Sequence, residues 1–402
     1  MRCSNAESMI ILDKPYVSDL LIRTIQKNNF PVVENDFAKG LVAQLGDNII
    51  CEQEVLKRFR ESRNPLIYTT SENSIGWIAQ HLDFTVLPQK IDLFKDKVKF
   101  RRMIRPMYPD YYFREIAYDS LDSLDKKIAE VPLPFIIKPS VGFFSMGVHR
   151  VDTISEWEGT KRSIREGIDG VKGLYPEEVL RTSSFIIEEV IEGDEYAMDA
   201  YFDEMGKSVI LSILKHSFAT ECDMSDRIYQ TSKEIILENL EEFTSFLEAI
   251  GALAGVRNFP VHVEVRRNGT GSLIPIEINP MQFGGWCTTP DLTYYAYDFN
   301  PYEYFFNQQR PDWDALLKDM DGKVYSLIIL NNTTGYPIEK ITSFDYELAL
   351  SKFSHPIELR KIDFTEYPVF GILFTETETP DAQELDAILH SDLKEFVHLI
   401  PE

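Results

Sequence analysis

Residues 261–280 read Val-His-Val-Glu-Val-Arg-Arg-Asn-Gly-Thr-Gly-Ser-Leu-Ile-Pro-Ile-Glu-Ile-Asn-Pro, two strand-like runs that turn around Asn268 to Gly271. Period-2 alternation sets Glu264 on the first arm, and Glu277 and Asn279 on the second, on one shared face. Ile274, Ile276 and Ile278 alternate with Pro275, Glu277 and Asn279, which predicts a buried face opposite the acidic one. Acidic residues on a solvated strand face are common. Here they run into Pro280 and Gly284-Gly285, and carboxylates held this close repel unless a cation or a proton intervenes. Hard oxygen donors from both arms of a hairpin suit a divalent cation such as Mg²⁺, which points toward phosphate chemistry.

A chain of 402 residues exceeds one ordinary core, so two or three domains or lobes are expected. The opening is α/β: a buried strand over residues 8–13, a helical pattern over 17–28, strands over 31–33, 47–51 and 66–70, and a helix over 74–81. No Gly-x-Gly-x-x-Gly follows the first strand, so a dinucleotide site lacks its phosphate turn. With 65 acidic against 41 basic residues the formal charge is -24, which disfavours nucleic acid and anionic membrane as partners. Cys3, Cys51, Cys222 and Cys287 form no Cys-x-x-Cys pair, and the seven histidines form no His-Glu-x-x-His. Neither a zinc site nor a disulfide framework is expected. The apolar run at 9–12 is too short for a signal segment, and a reducing cytoplasm is the expected location.

Three further segments carry candidate chemistry. A basic, helical stretch over 93–107 contains Lys97 among Lys95, Lys99, Arg101, Arg102 and Arg105. The strand at 135–138 ends in Lys138, followed by the Ser140-Val-Gly-Phe-Phe-Ser-Met-Gly147 loop and a return strand at 148–151. Such a loop can wrap backbone N–H groups and the Ser140 and Ser145 hydroxyls around phosphate, although an ordinary hairpin turn explains it as well. After a helix over 154–167, a strand at 184–190 enters the acidic bend Glu188-Glu-Val-Ile-Glu-Gly-Asp-Glu195. Strand-end backbone groups there can meet an adenine edge while a carboxylate takes ribose hydroxyls; read alone, the bend is a surface turn. Strands at 196–202 and 208–215 and an amphipathic helix at 234–252 lead into the carboxylate hairpin.

The order of these pieces, Lys97 after Asp96, Lys138 before a Ser/Gly loop, the acidic strand end, then Glu264 and Glu277-Ile-Asn279, resembles the ATP-grasp superfamily of carboxylate ligases. The thirteen-residue step from Glu264 to Glu277 suits that family's two-strand metal site. The resemblance covers about residues 93–285. It implies an α/β fold of α+β lobes: a Rossmann-like N-terminal domain over 1–92 and an ATP-grasp domain over 93–320. Within the latter, the small lobe would span about 110–192 and the metal-binding lobe about 193–320, with a C-terminal α/β segment over 321–402 completing the large lobe.

Carried over by position, the resemblance implies that Lys97 and Lys138 hold the ATP phosphates beneath a lid formed by residues 140–147, with Ser140, Ser145 and Gly147 contributing. Glu188 and the backbone of Glu189, Val190 and Ile191 would meet adenine, and Glu195 the ribose. Glu264 would bind one Mg²⁺, Glu277 would bridge two, and Asn279 would complete the second, with Mn²⁺ an acceptable substitute. Lys215 would reach the γ-phosphate. His262, two residues before Glu264, would touch substrate or serve as a hydrogen-bonded structural histidine.

The sequence departs from the family's pattern twice. Where many amino acid ligases of this superfamily carry Asn-Pro-Arg, it reads Asn279-Pro-Met281, and a thioether cannot steady a developing acyl phosphate. Lys215, Arg227 or Arg266 would have to supply that charge. Phe143 and Phe144 also make the lid bulkier. Cys287 lacks a visible base and reads as packing, and the aromatic run over 286–306 reads as core around a helix. The expected activity is ATP-dependent carboxylate–amine ligation on amino acid or peptide-like substrates, with ADP and phosphate released. A catalytically degenerate Mg-ATP-binding regulator is the alternative from another class, and a nucleotide-independent α/β binding protein is a third. The acid, the amine and the oligomeric state, a homodimer included, stay open.

Overall fold

A computed structural model describes residues 8–62, 65–142, 147–171, 181–220, 226–378 and 383–400. Four short strands, β1 (Ser8–Ile11), β2 (Val32–Val33), β3 (Ile49–Ile50) and β4 (Leu66–Thr69), form a parallel sheet in the order β3-β2-β1-β4. β1 and β4 are buried throughout, as expected of parallel strands covered by crossover helices. The intervening helix Asp19–Asn28 is capped by the Ser18 hydroxyl, which accepts from Leu21 N.

A second sheet contains β5 (Phe113–Ala117), β6 (Phe135–Val141), β7 (His149–Val151) and β8 (Arg181–Glu189) in the order β5-β8-β6-β7, all antiparallel. It has its own core, in which Phe135 meets Trp157 of the helix Trp157–Val171 edge to face. Ser140 belongs to β6 rather than to the loop that the sequence suggests, because pairing with β8 continues as far as Val141. Gly147 closes the segment with φ of +72°, and a Cβ there would press on the Pro139 ring at 3.2 Å.

The largest sheet has eight antiparallel strands: β9 (Asp194–Phe202), β10 (Ser208–Ser217), β11 (Ile228–Ser232), β12 (Phe259–Arg267), β13 (Leu273–Pro280), β14 (Lys323–Asn331), β16 (His355–Lys361) and β17 (Val369–Glu378). Their order is β13-β12-β9-β10-β11-β14-β17-β16, so the C-terminal strands extend the sheet that the central residues begin. β15 (Ile341–Phe344) and β18 (Val397–Leu399) pair separately over a C-terminal cluster in which Phe344 stacks on Phe370. The helix Lys233–Ala254, capped by the Ser232 hydroxyl, covers one face of the large sheet, where Tyr196 meets Phe243 edge to face. The opposite face carries Glu195, Ala197 and Asp199. One end of it is covered by the aromatic run, which forms two helices, Thr288–Tyr297 and Pro301–Phe306.

Two expectations change in ways that matter for the site. The basic stretch is not one helix: Asp96 separates Leu87–Lys95 from Lys97–Ile104, its carboxylate accepting from Val98 N and Lys99 N at 3.0 and 3.1 Å. In β13 the alternation breaks at a bulge. Glu264 pairs with Glu277 but Val265 pairs with Pro275, so Ile276 is the extra residue, and Ile274 and Ile276 are only half-buried.

Candidate functional site

Glu264, His262 and Arg266 lie at alternate positions of β12, opposite Ala197, Asp199 and Glu195 of β9. On the other side Glu264 faces Glu277, and His262 faces Asn279. The three oxygen donors expected to share a face therefore do. Asn279 Nδ2 donates to Glu277 Oε1 at 3.0 Å, and Lys97 Nζ lies 3.2 Å from Glu277 Oε2. Lys97 also donates to Gly142 O at 3.4 Å, which brings the helix start, the hairpin and the end of β6 to one point.

The two glutamates are in opposite electrostatic states. Burial raises the Glu277 carboxyl, but Lys97, Lys95 and Lys138 outweigh it and hold the group well below the usual carboxylate range. Glu264 is pushed well above that range by burial and then by the charges of Glu277, Glu195 and Asp226, with Lys97 opposing. A face with this excess of negative charge fits a hard divalent cation, and its donors are the oxygen ligands such an ion takes.

A sign follows for pH. Because the pKa of Glu264 is raised in the folded chain, the folded protein keeps a proton that the unfolded chain releases. Folding stability from this group is therefore lost as pH rises from the ordinary carboxylate value toward the raised one. A cation at Glu264 must expel that proton, so Mg²⁺ affinity is expected to rise with pH over the same window. Calorimetry in buffers of different ionisation enthalpy should detect the released proton; a Mg²⁺ affinity independent of pH there would exclude Glu264 as a ligand.

The lysines expected to meet phosphate are similarly engaged. Lys138 Nζ and Arg101 Nε lie 2.6 Å from the two oxygens of Glu188. Burial raises Glu188, but Arg101 and Lys138 reverse this and hold it at about 2. The Glu188 side chain, expected to meet adenine, is thus a buried counter-ion. Glu189 N donates to Tyr112 O, Glu189 O accepts from Tyr111 Oη, and Val190 N donates to Pro134 O. Ile191 O accepts from Arg266 Nη1 at 2.8 Å, while Arg266 Nε donates to Glu195 Oε2 at 2.8 Å. His216 Nδ1 is 2.9 Å from the other Glu195 oxygen and stacks on Tyr229. The acidic bend itself needs Gly193: a Cβ there would come within 1.9 Å of Arg267 O.

Residues 131–290 match the family model described as the ATP-grasp domain. The chain contains an ATP-grasp domain. Solved structures of the ATP-grasp fold agree over nearly its whole length. An L-amino acid ligase from Bacillus licheniformis superposes with a TM-score of 0.67 at 15% identity, covering 98% of this chain and 99% of that one. An N5-carboxyaminoimidazole synthase from Aspergillus clavatus, in complex with ADP and its ribonucleotide, gives 0.65 at 11% identity, covering 98% and 100%. A biotin carboxylase from Campylobacter jejuni, in complex with a βγ-ATP ligand, gives 0.61 at 13% identity, covering 92% and 87%. No curated protein sequence matches the chain. Among the described residues no helix is long and apolar enough to cross a membrane.

Within the ATP-grasp domain, Lys215 departs from its expected role. It pairs with Tyr196, on the face covered by the helix Lys233–Ala254, and its ammonium meets Asp194 at 3.1 Å. Its neighbour His216 occupies the site face, since a one-residue step along a strand changes sides. Arg227 is bound to Ile388 O and Ser391 O in the C-terminal part, away from the hairpin. Met281 is fully buried with φ of +69°, and its backbone bridges Pro260 O and Thr69 N, docking the hairpin on the first sheet. Ser140 is buried, and its hydroxyl has no partner among the described residues. Ser145, Phe143 and Phe144 lie outside the described residues. Cys287 is buried, and burial followed by Asp291 pushes its thiol up to about 11, in keeping with packing rather than nucleophilic duty.

Two residues that sequence reading passed over organise the site. Asp199, fully buried, accepts from His262 Nδ1 at 2.8 Å, from Gly284 N at 2.9 Å and from the Thr289 hydroxyl. Arg101, buried in a basic run whose Lys99 and Arg102 are exposed, reaches Glu188 and Pro275 O. Its one signal was its spacing, four residues after Lys97 and so on the same helix face.

Proposed function

We propose that this protein is an ATP-dependent ligase that activates a carboxylate as an acyl phosphate for attack by an amine, releasing ADP and phosphate. The observation that carries the reading is the pairing of Glu264 with Glu277 beside Asn279, with Lys97 3.2 Å from Glu277, inside an ATP-grasp domain. The structural neighbours include an L-amino acid ligase, and amino acid or peptide-like substrates are the first candidates here.

Glu264, Glu277 and Asn279 would hold two Mg²⁺, or Mn²⁺ in their place, and the ions would supply neutralisation of phosphate charge. Lys97 and Lys138 would exchange their carboxylate partners for phosphate oxygens, so nucleotide replaces an internal ion pair rather than entering bare cations. Glu195, already ordered by His216 and Arg266, would accept ribose hydroxyls, and the strand end at 189–191 would flank adenine. His262, tied to Asp199 with its Nε2 3.7 Å from Glu264 Oε1, would hold the metal face in register. Alignment of oxygens and charge neutralisation suffice for phosphoryl transfer, and no covalent nucleophile is required.

A second reading, a Mg-ATP-binding regulator without turnover, rests on Met281, whose buried side chain leaves no cation at that position. A screen of carboxylates against amines for ATP-dependent phosphate release, with hydroxylamine to trap acyl phosphate, separates the two. Hydroxamate from any carboxylate is the expected result. Tight Mg-ATP binding with neither phosphate nor hydroxamate from a broad screen would replace the ligase with the regulator.

A further inference from the structure

We infer that Arg101 is a positioning residue that sets the nucleotide-binding lysine and the metal carboxylate together, from one face of one helix. The inference rests on the ligase reading and deepens it. Lys97 and Arg101 stand four apart on the helix Lys97–Ile104 and therefore share a face. Lys97 meets Glu277 directly. Arg101 reaches the same strand two residues earlier, donating from Nη1 to Pro275 O at 2.7 Å, next to the bulge that re-aims Glu277. Proline lacks an N–H to anchor that stretch from its own side, so the carbonyl held by Arg101 is the contact that fixes where the bulge sits.

The other arm of the guanidinium does different work. Arg101 Nε occupies Glu188 Oε2 while Lys138 occupies Oε1, both at 2.6 Å, so one carboxylate is divided between two cations. Tyr111 supports the arrangement, its ring 4.5 Å beneath the guanidinium and its hydroxyl on Glu189 O. With Arg101 in place, Glu188 remains compensated when Lys138 turns to a phosphate. Without it, Glu188 would be a buried carboxylate held by Lys138 and by the Tyr111 hydroxyl at 3.4 Å, and releasing that lysine would leave it without either of its two cations. Only a planar fork can serve both arms at once, since a lysine ammonium presents a point charge.

The two arms make separable predictions, read by calorimetric binding of AMP-PNP across a Mg²⁺ series, with thermal midpoints measured in parallel. Arg101→Lys should keep nucleotide affinity near wild type but need about tenfold more Mg²⁺, the scale for losing an outer partner of a metal ligand. Arg101→Met should lose nucleotide affinity as well, by about tenfold or more. Arg101→Met with Glu188→Gln should regain nucleotide affinity, because Lys138 is freed, yet keep the raised Mg²⁺ requirement. If Arg101→Met does not fold, Arg101→Lys decides the question alone. Lower thermal midpoints with wild-type nucleotide and Mg²⁺ binding would make Arg101 merely structural and overturn the inference, as would a double variant that folds but does not regain nucleotide. A wild-type protein that fails to bind Mg-AMP-PNP would instead overturn the ligase reading, and this role with it.

Discussion

Glu277→Gln is expected to abolish nearly all ATP-dependent ADP formation while leaving the fold in place. The substitution keeps shape and removes one charge from a group that stays ionised because Lys97, Lys95 and Lys138 together outweigh its burial. A neutral amide cannot bridge two cations. The loss in turnover should be about 10³-fold, the scale for deleting one pre-organised electrostatic group in a site. Stability should change little, because Lys97 retains Gly142 O and the β12–β13 pairing does not depend on the side chain. A thermal midpoint within about 3 °C of wild type is the accompanying expectation. One further readout separates a metal role from general damage. With the Glu277 charge gone, Glu264 loses a main cause of its raised pKa, so the residual Mg²⁺ affinity should depend less on pH. Near-normal ADP formation in the folded variant would sink the two-metal assignment.

The parts of this site that sequence could reveal are those written in local periodicity. The hairpin was readable because polar and apolar residues alternate from Val261 to Arg266 and a Gly-containing turn separates the arms. Lys97 and Lys138 were readable as members of an ordered series. The failures have a common physical form. β10 reads Ser-Val-Ile-Leu-Ser-Ile-Leu-Lys-His-Ser and is buried on both faces along most of its length, so alternation carries no parity there. Lys215 was therefore placed on the site face that His216 occupies. The bulge at Ile276 and the partner of Arg101 are long-range facts: Pro275 is 174 residues from Arg101 and Glu188 is 87 away, and no local pattern encodes either pairing. Asp199 was hidden in the same way, as a polar residue inside an apolar strand whose partners come from β12 and from the loop and helix that follow β13. The parallel opening sheet was legible, but the way it docks, through Thr69 N on Met281 O, was not.

Asp199→Ala should be the most destabilising single change near the site, costing about 3–5 kcal/mol, because it strips a fully buried acceptor from several donors at once. Gly284 N would lose one of its two acceptors, and His262 would lose the carboxylate that fixes its ring. The geometry leaves little room for relaxation. A Cβ on Gly284 would already lie 2.1 Å from Thr289 Oγ1, so the turn, the start of the helix Thr288–Tyr297 and β9 are packed around this one carboxylate. Denaturant unfolding monitored by circular dichroism measures the cost; a change below about 1 kcal/mol would show that the network relaxes without Asp199. Asp199→Asn discriminates further. It keeps one oxygen for both Gly284 N and His262 Nδ1 and turns its amide toward Thr289, so it should retain more of the stability than alanine does, while loss of the carboxylate charge weakens its hold on His262. Because His262 Nε2 sits 3.7 Å from Glu264 Oε1, that loosening reaches Glu264, a proposed metal ligand. The asparagine variant is therefore expected to fold and yet require more Mg²⁺, which ties the same buried carboxylate to both the stability of the large sheet and the register of the ligands it displays.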